Sequence, residues 1–321
     1  HERSLNADLG LALTLELRAA LRNELLVVVM SATLDAEPVA RLMGGAPMVT
    51  STGRAYEVET HYLSKPLPPT SRFEAALSAL IVEAYWVSAH FGGTILVFLP
   101  GEGEIHRAAA QLAAFNLTGV TIAPLFGAMT FGAQRQAIAP IAQGRKIVLA
   151  TSIAETSLTI PDVRVVVDGG RARRARFDPN SGMARLVTEK VTRAEATQRK
   201  GRAGRVSAGL YFPLWTRGEE GALAAFPPAE IEAADLTGLA LELALWGGSD
   251  EMAFLTPPPS GALAMARSLL CDLGALEKSP TGFRLTPHGR DLAGLPLHPR
   301  LAQMVIMAGG SDLACLIATL L

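Results

Sequence analysis

The chain has 321 residues, enough for two ordinary domains, and its 49% hydrophobic content against 18% charged excludes wholesale disorder. A formal net charge of −1 excludes a uniformly basic nucleic-acid binder. Only two cysteines occur, Cys271 and Cys315, with no CxxC spacing, no apolar stretch of membrane-spanning length and no secretion signal after His1-Glu2-Arg3-Ser4, so a reducing, cytoplasmic setting without membrane contact is expected.

In chain order, residues 7–22 have helical apolar spacing, and Leu25 to Met30 form a short, wholly apolar run of the kind that makes a buried parallel strand. Ser51-Thr52-Gly53-Arg54 and Lys65-Pro66-Leu67-Pro68-Pro69-Thr70 then bracket a short extended connector. From Ser71 to about Phe212 helices and strands alternate. Helices are expected over 72–90, 103–115 and 130–142, with strands Thr94–Leu99, Val120–Pro124, Lys146–Thr151 and Arg164–Asp168. That alternation indicates βαβ units and a parallel sheet, whose ligands collect at the carboxyl ends of the strands. Arg171–Phe177 and Met183–Val191 flank the turn sequence Asp178-Pro179-Asn180-Ser181-Gly182, a β-hairpin pattern. Beyond Trp215, helical segments near 229–246 and 261–275 and the ribbon-like Gly282–Thr286 suit a winged helix. The apolar helical pattern from Leu313 to Leu321 reads as one cut short of its packing partners.

Charge is concentrated in one place. Between Arg171 and Arg205 stand eleven Lys or Arg, among them Arg171, Arg173, Arg174 and Arg176, against Asp178, Glu189 and Glu195. Such a run is either a solvated face or the footprint of a phosphate-binding surface. Within it, Gln198-Arg199-Lys200-Gly201-Arg202-Ala203-Gly204-Arg205 places Arg202 and Arg205 three apart, able to project from one helical face. Two guanidiniums offered together suit a phosphoryl group in transit, and Gln198, one turn earlier, can orient a water. Thr151-Ser152-Ile153-Ala154-Glu155-Thr156-Ser157-Leu158-Thr159-Ile160-Pro161 follows a buried strand. Hydroxyls and amides clustered at a strand end can bind a phosphate of the nucleic-acid backbone. The six histidines are scattered, and no metal site is expected from this chain alone.

TSIAETSLTIPDV and QRKGRAGR resemble motifs V and VI of the superfamily 2 helicases of the DEAH-box type. Ser31-Ala32-Thr33 looks like motif III, Phe98-Leu99-Pro100-Gly101 like motif IV, and His1-Glu2-Arg3-Ser4 like the tail of motif II. The match runs in order over essentially the whole chain, through LTPHGR at 285–290 and LPLHPR at 295–300. RRARFDPNSGMARL is most like a bacterial branch of the family. The resemblance implies a RecA-like α/β fold of P-loop NTPase type followed by a mostly helical winged-helix domain. Its boundaries fall at 1–52 (the end of a first RecA-like domain), 56–215 (the second), 216–294 (winged helix) and 295–321 (the start of a ratchet domain).

The same resemblance implies roles. His1 would bridge the two motor domains, and Ser31 and Thr33 would couple hydrolysis to domain movement. Ser157, Thr159 and Asp162 would face the nucleotide, with Gln198 positioning water and Arg202 and Arg205 as arginine fingers. Thr151 would touch the nucleic-acid backbone together with Arg171, Arg173, Arg174 and Arg176, on a hairpin that acts as a strand-separating wedge. The implied activity is NTP hydrolysis, with ATP or another NTP and Mg²⁺, coupled to 3′ to 5′ movement of a monomer on single-stranded RNA or DNA. Departures limit this. No GxxxxGK(S/T) loop occurs and the motif II carboxylates would precede His1, so ATP and Mg²⁺ would be held mainly by a first domain absent here and the chain alone would not hydrolyse ATP. Ile138 stands where many members stack a Phe on the base, and Lys200, in place of a more usual Ala, is expected at the solvent face. The rival readings are a non-catalytic nucleic-acid-binding fragment and a partner-docking module.

Overall fold

A computed structural model describes residues 3–30, 36–50, 56–155, 158–178, 182–247, 252–280 and 282–320. Its elements, in chain order, are α1 (Leu5–Ala20), α2 (Ala36–Leu42), β1 (Val58–Thr60), α3 (Phe73–Val87), β2 (Thr94–Phe98), α4 (Glu102–Ala114), β3 (Val120–Leu125), α5 (Phe131–Ile138), β4 (Arg145–Ala150), β5 (Val163–Asp168), β6 (Arg171–Asp178) and β7 (Met183–Lys190). Then follow α6 (Arg193–Gly201), β8 (Gly209–Pro213), α7 (Arg217–Gly221), α8 (Thr237–Trp246), α9 (Ser260–Asp272), β9 (Leu276–Ser279), β10 (Gly282–Leu285), α10 (Pro287–Ala293), α11 (Pro299–Met307) and α12 (Asp312–Leu320). They fall into two compact units: residues 50–174 with 186–227, and residues 1–49, 175–185 and 228–321.

The first unit is built on a six-stranded sheet in the order β1-β8-β5-β2-β4-β3, with every pairing parallel. All five residues of β2 are buried, as they must be when both faces are covered. The two-residue period of a strand then sorts its side chains. Ile95 and Val97 join one core with Leu77, Ile81, Ile105 and Leu112 from α3 and α4. Leu96 and Phe98 join the opposite core with Ala137, Ala154 and Ala196 from α5, the 3-10 turn Ser152–Ala154 and α6. The second core carries the motif loops, so their backbone is seated on packed apolar side chains.

Local chemistry sets the ends of these elements. Thr192 caps α6 in a capping box with Glu195, each satisfying the other's backbone N–H. The spacing predicts a helix as far as residue 142 after β3, but α5 stops at Ile138. Pro140 pushes Ala139 out of the helical region, to ψ 144°, and the buried Lys146 ammonium takes the freed carbonyls of Ala137 and Ala139.

The second unit packs α1, α8, α9, α10 and α11 around Leu239, Leu243, Leu263, Leu270 and Leu292, with the antiparallel ribbon β9–β10 beside them. One expectation fails here. Leu25–Met30 is not a strand, and Leu26, Val28 and Met30 are 88%, 78% and 84% exposed. A strand apolar on both faces needs paired neighbours, and no described strand lies against this one. No described helix is long and apolar enough to cross a membrane.

Candidate functional site

The motif loops run from the carboxyl ends of β4 and β5, at Thr151 and Asp168, to the amino end of β5, at Asp162. Thr151 follows β4 directly, half-buried, with its backbone N–H on Leu125 O at 3.2 Å. The 3-10 turn then delivers Glu155, whose N–H closes onto Ser152 O at 2.8 Å. From the other side α6 runs in with Gln198, Arg199 and the residues that follow. Gln198 Nε2 donates to Glu155 O at 3.4 Å.

The helix ends at Gly201, so Arg202 and Arg205 do not share a helical face as their spacing suggests. They lie in the turn after it, and the reason is close packing. A Cβ on Gly204 would sit 2.6 Å from Tyr56 O, and one on Gly209 would sit 2.4 Å from Ala203 O. The backbone must leave the helix there to let β1 and β8 come together, and only glycine fits. The turn still brings the two arginines to one recess of about 100 Å³, with Thr159, Ile160, Pro161, Asp162 and Leu96 in its wall.

The two arginines differ in state. Arg205 is exposed. Arg202 is 4% exposed and has no carboxylate partner among the described residues. It donates to Leu158 O at 2.9 Å and to Glu155 O, while its Nε is buried without an acceptor among the described residues. Burial, aided by repulsion from Arg205, pulls its pKa down to about 10, so it remains a cation at neutral pH. The recess wall is largely apolar, and its cations are the Arg202 and Arg205 guanidiniums, whose N–H groups suit an anionic oxygen such as that of a phosphate. Asp162 holds the recess wall in a left-handed conformation, φ 53°, with its carbonyl accepting from Thr94 N at 2.7 Å.

Behind the recess lies a charge cluster that motif spacing does not reveal. Arg199 is 1% exposed and bridges two carboxylates, Glu155 Oε1 from Nε at 2.7 Å and Asp168 Oδ1 from Nη1 at 2.7 Å. The Tyr211 hydroxyl donates to Asp168 Oδ2 at 2.9 Å, and the guanidinium lies over the Phe98 ring at 4.9 Å. Burial works against the charge on Arg199, yet the two carboxylates outweigh it and hold its pKa above the ordinary arginine value. Burial also raises the pKa of Glu155, with Arg199 pulling it back, and raises that of Tyr211 with Asp168 adding to the effect. The available signal was the acid at the tail of Val163-Arg164-Val165-Val166-Val167-Asp168, since a carboxylate ending so apolar a strand needs a buried cation.

The basic run is less free than its composition suggests. Arg174 forks to Glu195 at 2.5 and 2.6 Å and reaches Glu189 at 3.1 Å. Arg173 pairs with Glu104 at 3.1 Å, and Arg171 is exposed with its guanidinium 4.3 Å from the Phe73 ring centre. Arg176 is half-buried on the outer half of β6. β6 and β7 form the expected hairpin, closed by Gly182 N on Asp178 O at 2.8 Å. Lys200 does not face solvent freely. Its Nζ donates to Thr60 Oγ1 at 2.8 Å, because α6 runs beside β1. Ile138 packs against the second core. His1, Ser31, Thr33 and Ser157 lie outside the described residues.

Comparison with known proteins bears on the family and the fold. Residues 74–207 match the helicase conserved C-terminal domain. The ATP-dependent RNA helicase HrpB of Escherichia coli is 45% identical over 315 residues, which are 97% of this chain and 38% of that protein. The pre-mRNA-splicing factor ATP-dependent RNA helicase prp22 of Schizosaccharomyces pombe is 33% identical over 319 residues, 95% of this chain and 26% of that protein. The crystal structure of the Escherichia coli DEAH/RHA helicase HrpB superposes with a TM-score of 0.86 at 45% identity, over 95% of this chain and 38% of that one. The chain therefore spans less than two fifths of the length of these relatives. With the six-stranded parallel sheet, the ordered motifs and these matches taken together, the chain belongs to the DEAH-box helicases and carries their RecA-like helicase C-terminal domain.

Proposed function

We propose that this chain is the nucleotide-sensing and strand-gripping part of an ATP-dependent helicase that moves 3′ to 5′ on single-stranded nucleic acid. RNA is the favoured substrate, since the relatives are named RNA helicases. The observation that carries the reading is the convergence of a buried Arg202 and an exposed Arg205 on one recess, beside Thr159 and Asp162. In this reading residues 1–52 close a first RecA-like domain, 56–215 form the second, 216–294 a winged helix and 295–321 the start of a ratchet domain. The protein works as a monomer in the reducing cytoplasm.

The chemistry supplied by bound ATP and Mg²⁺ is transfer of the terminal phosphoryl group to water, and both would be held mainly by the first domain, since no GxxxxGK(S/T) loop occurs in these 321 residues. The chain's own residues do the rest. Arg202 and Arg205 meet the negative charge that spreads over the phosphoryl oxygens. Gln198 orients the water, Thr159, Asp162 and Ser157 shape the nucleotide side, and Ser31, Thr33 and His1 transmit closure. Thr151, Arg171, Arg173 and Arg176 contact the nucleic-acid backbone, while the β6–β7 hairpin parts the strands.

The test is Arg205→Ala in the complete protein, chosen because an exposed side chain can be removed without opening the core. Turnover is expected to fall by about 10³ to 10⁵, with nucleic-acid binding retained. Near-normal hydrolysis in that variant would sink the finger role. A second reading, a nucleic-acid-binding fragment without catalysis, is favoured by the missing phosphate loop for the chain in isolation. ATPase assays on the chain alone and on a version extended upstream separate the two.

A further inference from the structure

We infer that Glu155 is the positioning residue for Arg202, setting where that guanidinium stands by holding the end of α6 from two sides. The inference rests on the reading of Arg202 as the group that meets phosphate.

Three polar side chains of the QRKGRAGR segment, Gln198, Arg199 and Arg202, report to this one residue. The Glu155 carbonyl accepts from Gln198 Nε2 at 3.4 Å and from Arg202. Its carboxylate accepts from Arg199, Nε at 2.7 Å and Nη2 at 2.6 Å, while the far edge of the same guanidinium is fixed on Asp168 at 2.7 Å. Asp168 ends a central strand and is wholly buried. Arg199 is thus a strut from the sheet, and Glu155 is fastened to it. The Glu155 carbonyl in turn fixes Nη2 of Arg202, as Leu158 O fixes Nη1 at 2.9 Å. Any shift of the turn Ser152–Ala154 that carries Glu155 is delivered to Gln198 and Arg202 together. The turn's own backbone bonds, Glu155 N–H on Ser152 O and Ala154 N–H on Thr151 O, fix its shape but not its distance from α6. The carboxylate supplies the missing constraint.

The experiment uses the complete protein with Glu155→Gln, Glu155→Asp and Arg202→Ala. It reads kcat and KM for ATP hydrolysis, the affinities for ADP and for ADP with aluminium fluoride (a mimic of the phosphoryl group in transit), and the thermal unfolding curve. A group placed for the transition state gains its worth there and not in the ground state. Glu155→Gln is therefore expected to lower kcat by about 10²-fold, the scale of a misplacement near 1 Å. KM and ADP affinity should hold while affinity for the aluminium fluoride complex falls in step with kcat. Glu155→Asp keeps the charge and shortens the reach by one carbon, so the same split is expected in smaller measure.

Unchanged kcat in folded Glu155→Gln overturns the proposal. So does a parallel fall in both affinities, and so does loss of the folding transition in both Glu155 variants, since the carboxylate would then hold the fold rather than the guanidinium. Arg202→Ala separates two failures. If its turnover is normal, the phosphate-facing reading of Arg202 falls. If it loses turnover while the Glu155 variants keep theirs, only the positioning role falls.

Discussion

Arg199 and Asp168 form an ion pair 2.7 Å long in which the side chains are 1% and 0% exposed. Among the described residues their charges are satisfied by each other and by Glu155, Tyr211 and nearby backbone. Removing one member of such a set strands the rest, which costs about 3–5 kcal/mol. Arg199→Met is expected to lose that much in urea unfolding, and Tyr211→Phe about 1.5–3 kcal/mol, the worth of one hydrogen bond to a charged group. A loss under about 1 kcal/mol for Arg199→Met would show that the cluster is more solvated than its burial indicates.

The glycines of the arginine turn are not equivalent. A Cβ on Gly209 would press on Ala203 O at 2.4 Å and Arg164 O at 2.7 Å, both backbone, whereas Gly201 has nothing within 4 Å. Gly209→Ala is expected to destabilise by about 1–3 kcal/mol through overpacking. Gly201→Ala, at the end of α6, should be neutral or stabilising by up to about 1 kcal/mol, because alanine is the better helix former. Equal unfolding midpoints for the two variants would contradict the packing argument.

The arginines of the basic run should differ in how binding responds to salt. Each lysine or arginine that neutralises a phosphate of single-stranded nucleic acid contributes about 0.7 to the slope of log K against log salt. Arg171 is exposed, so Arg171→Ala is expected to reduce that slope by about 0.7. Arg174 is already held by Glu189 and Glu195, and Arg174→Gln should leave the slope unchanged. Binding isotherms at several salt concentrations decide it, and an equal change in both variants would count against this division of labour.

Stability in acid should pass through Asp235. Burial raises its pKa, but hydrogen bonds from His298 at 3.1 Å and from Thr237 outweigh that and bring it down to about 2. With the folded pKa below the unfolded value of about 3.9, the stabilisation is full above the unfolded value and is lost as pH falls through the folded one. Asp235→Asn is therefore expected to cost about 1–2 kcal/mol near pH 6, a margin that shrinks to little by pH 2. A mutational loss that is constant from pH 6 to pH 2 would remove Asp235 as its source.

Much of the fold is legible in the sequence. Runs such as Ile147-Val148-Leu149 announce strands buried on both faces, and the turn sequence around Gly182 announces the hairpin, because both depend on local chemistry. The motif residues were legible for the same reason, as short polar patterns just after apolar strands. What escaped depends on neighbours distant in sequence. Arg199 read as one more cation in a basic run, although its partners stand 44 and 31 positions away. The end of α6 escaped because it is set by Tyr56 and β8 rather than by helix propensity. Leu25–Met30 was misread because apolar content marks a wish for burial without saying whether the neighbours that would bury it are at hand.

Helix α6 has one further property. Near its start Glu195 is gripped by Arg174, and near its end Arg199 donates to Arg171 O at 3.4 Å, so both ends are moored to the same strand, β6. Nine residues of α-helix span about 13.5 Å and do not bend over so short a distance. A short rod moored at both ends to β6, and through Arg199 to Asp168 at the end of β5, makes the inner half of β6 and the sheet one stiff frame around the arginine turn.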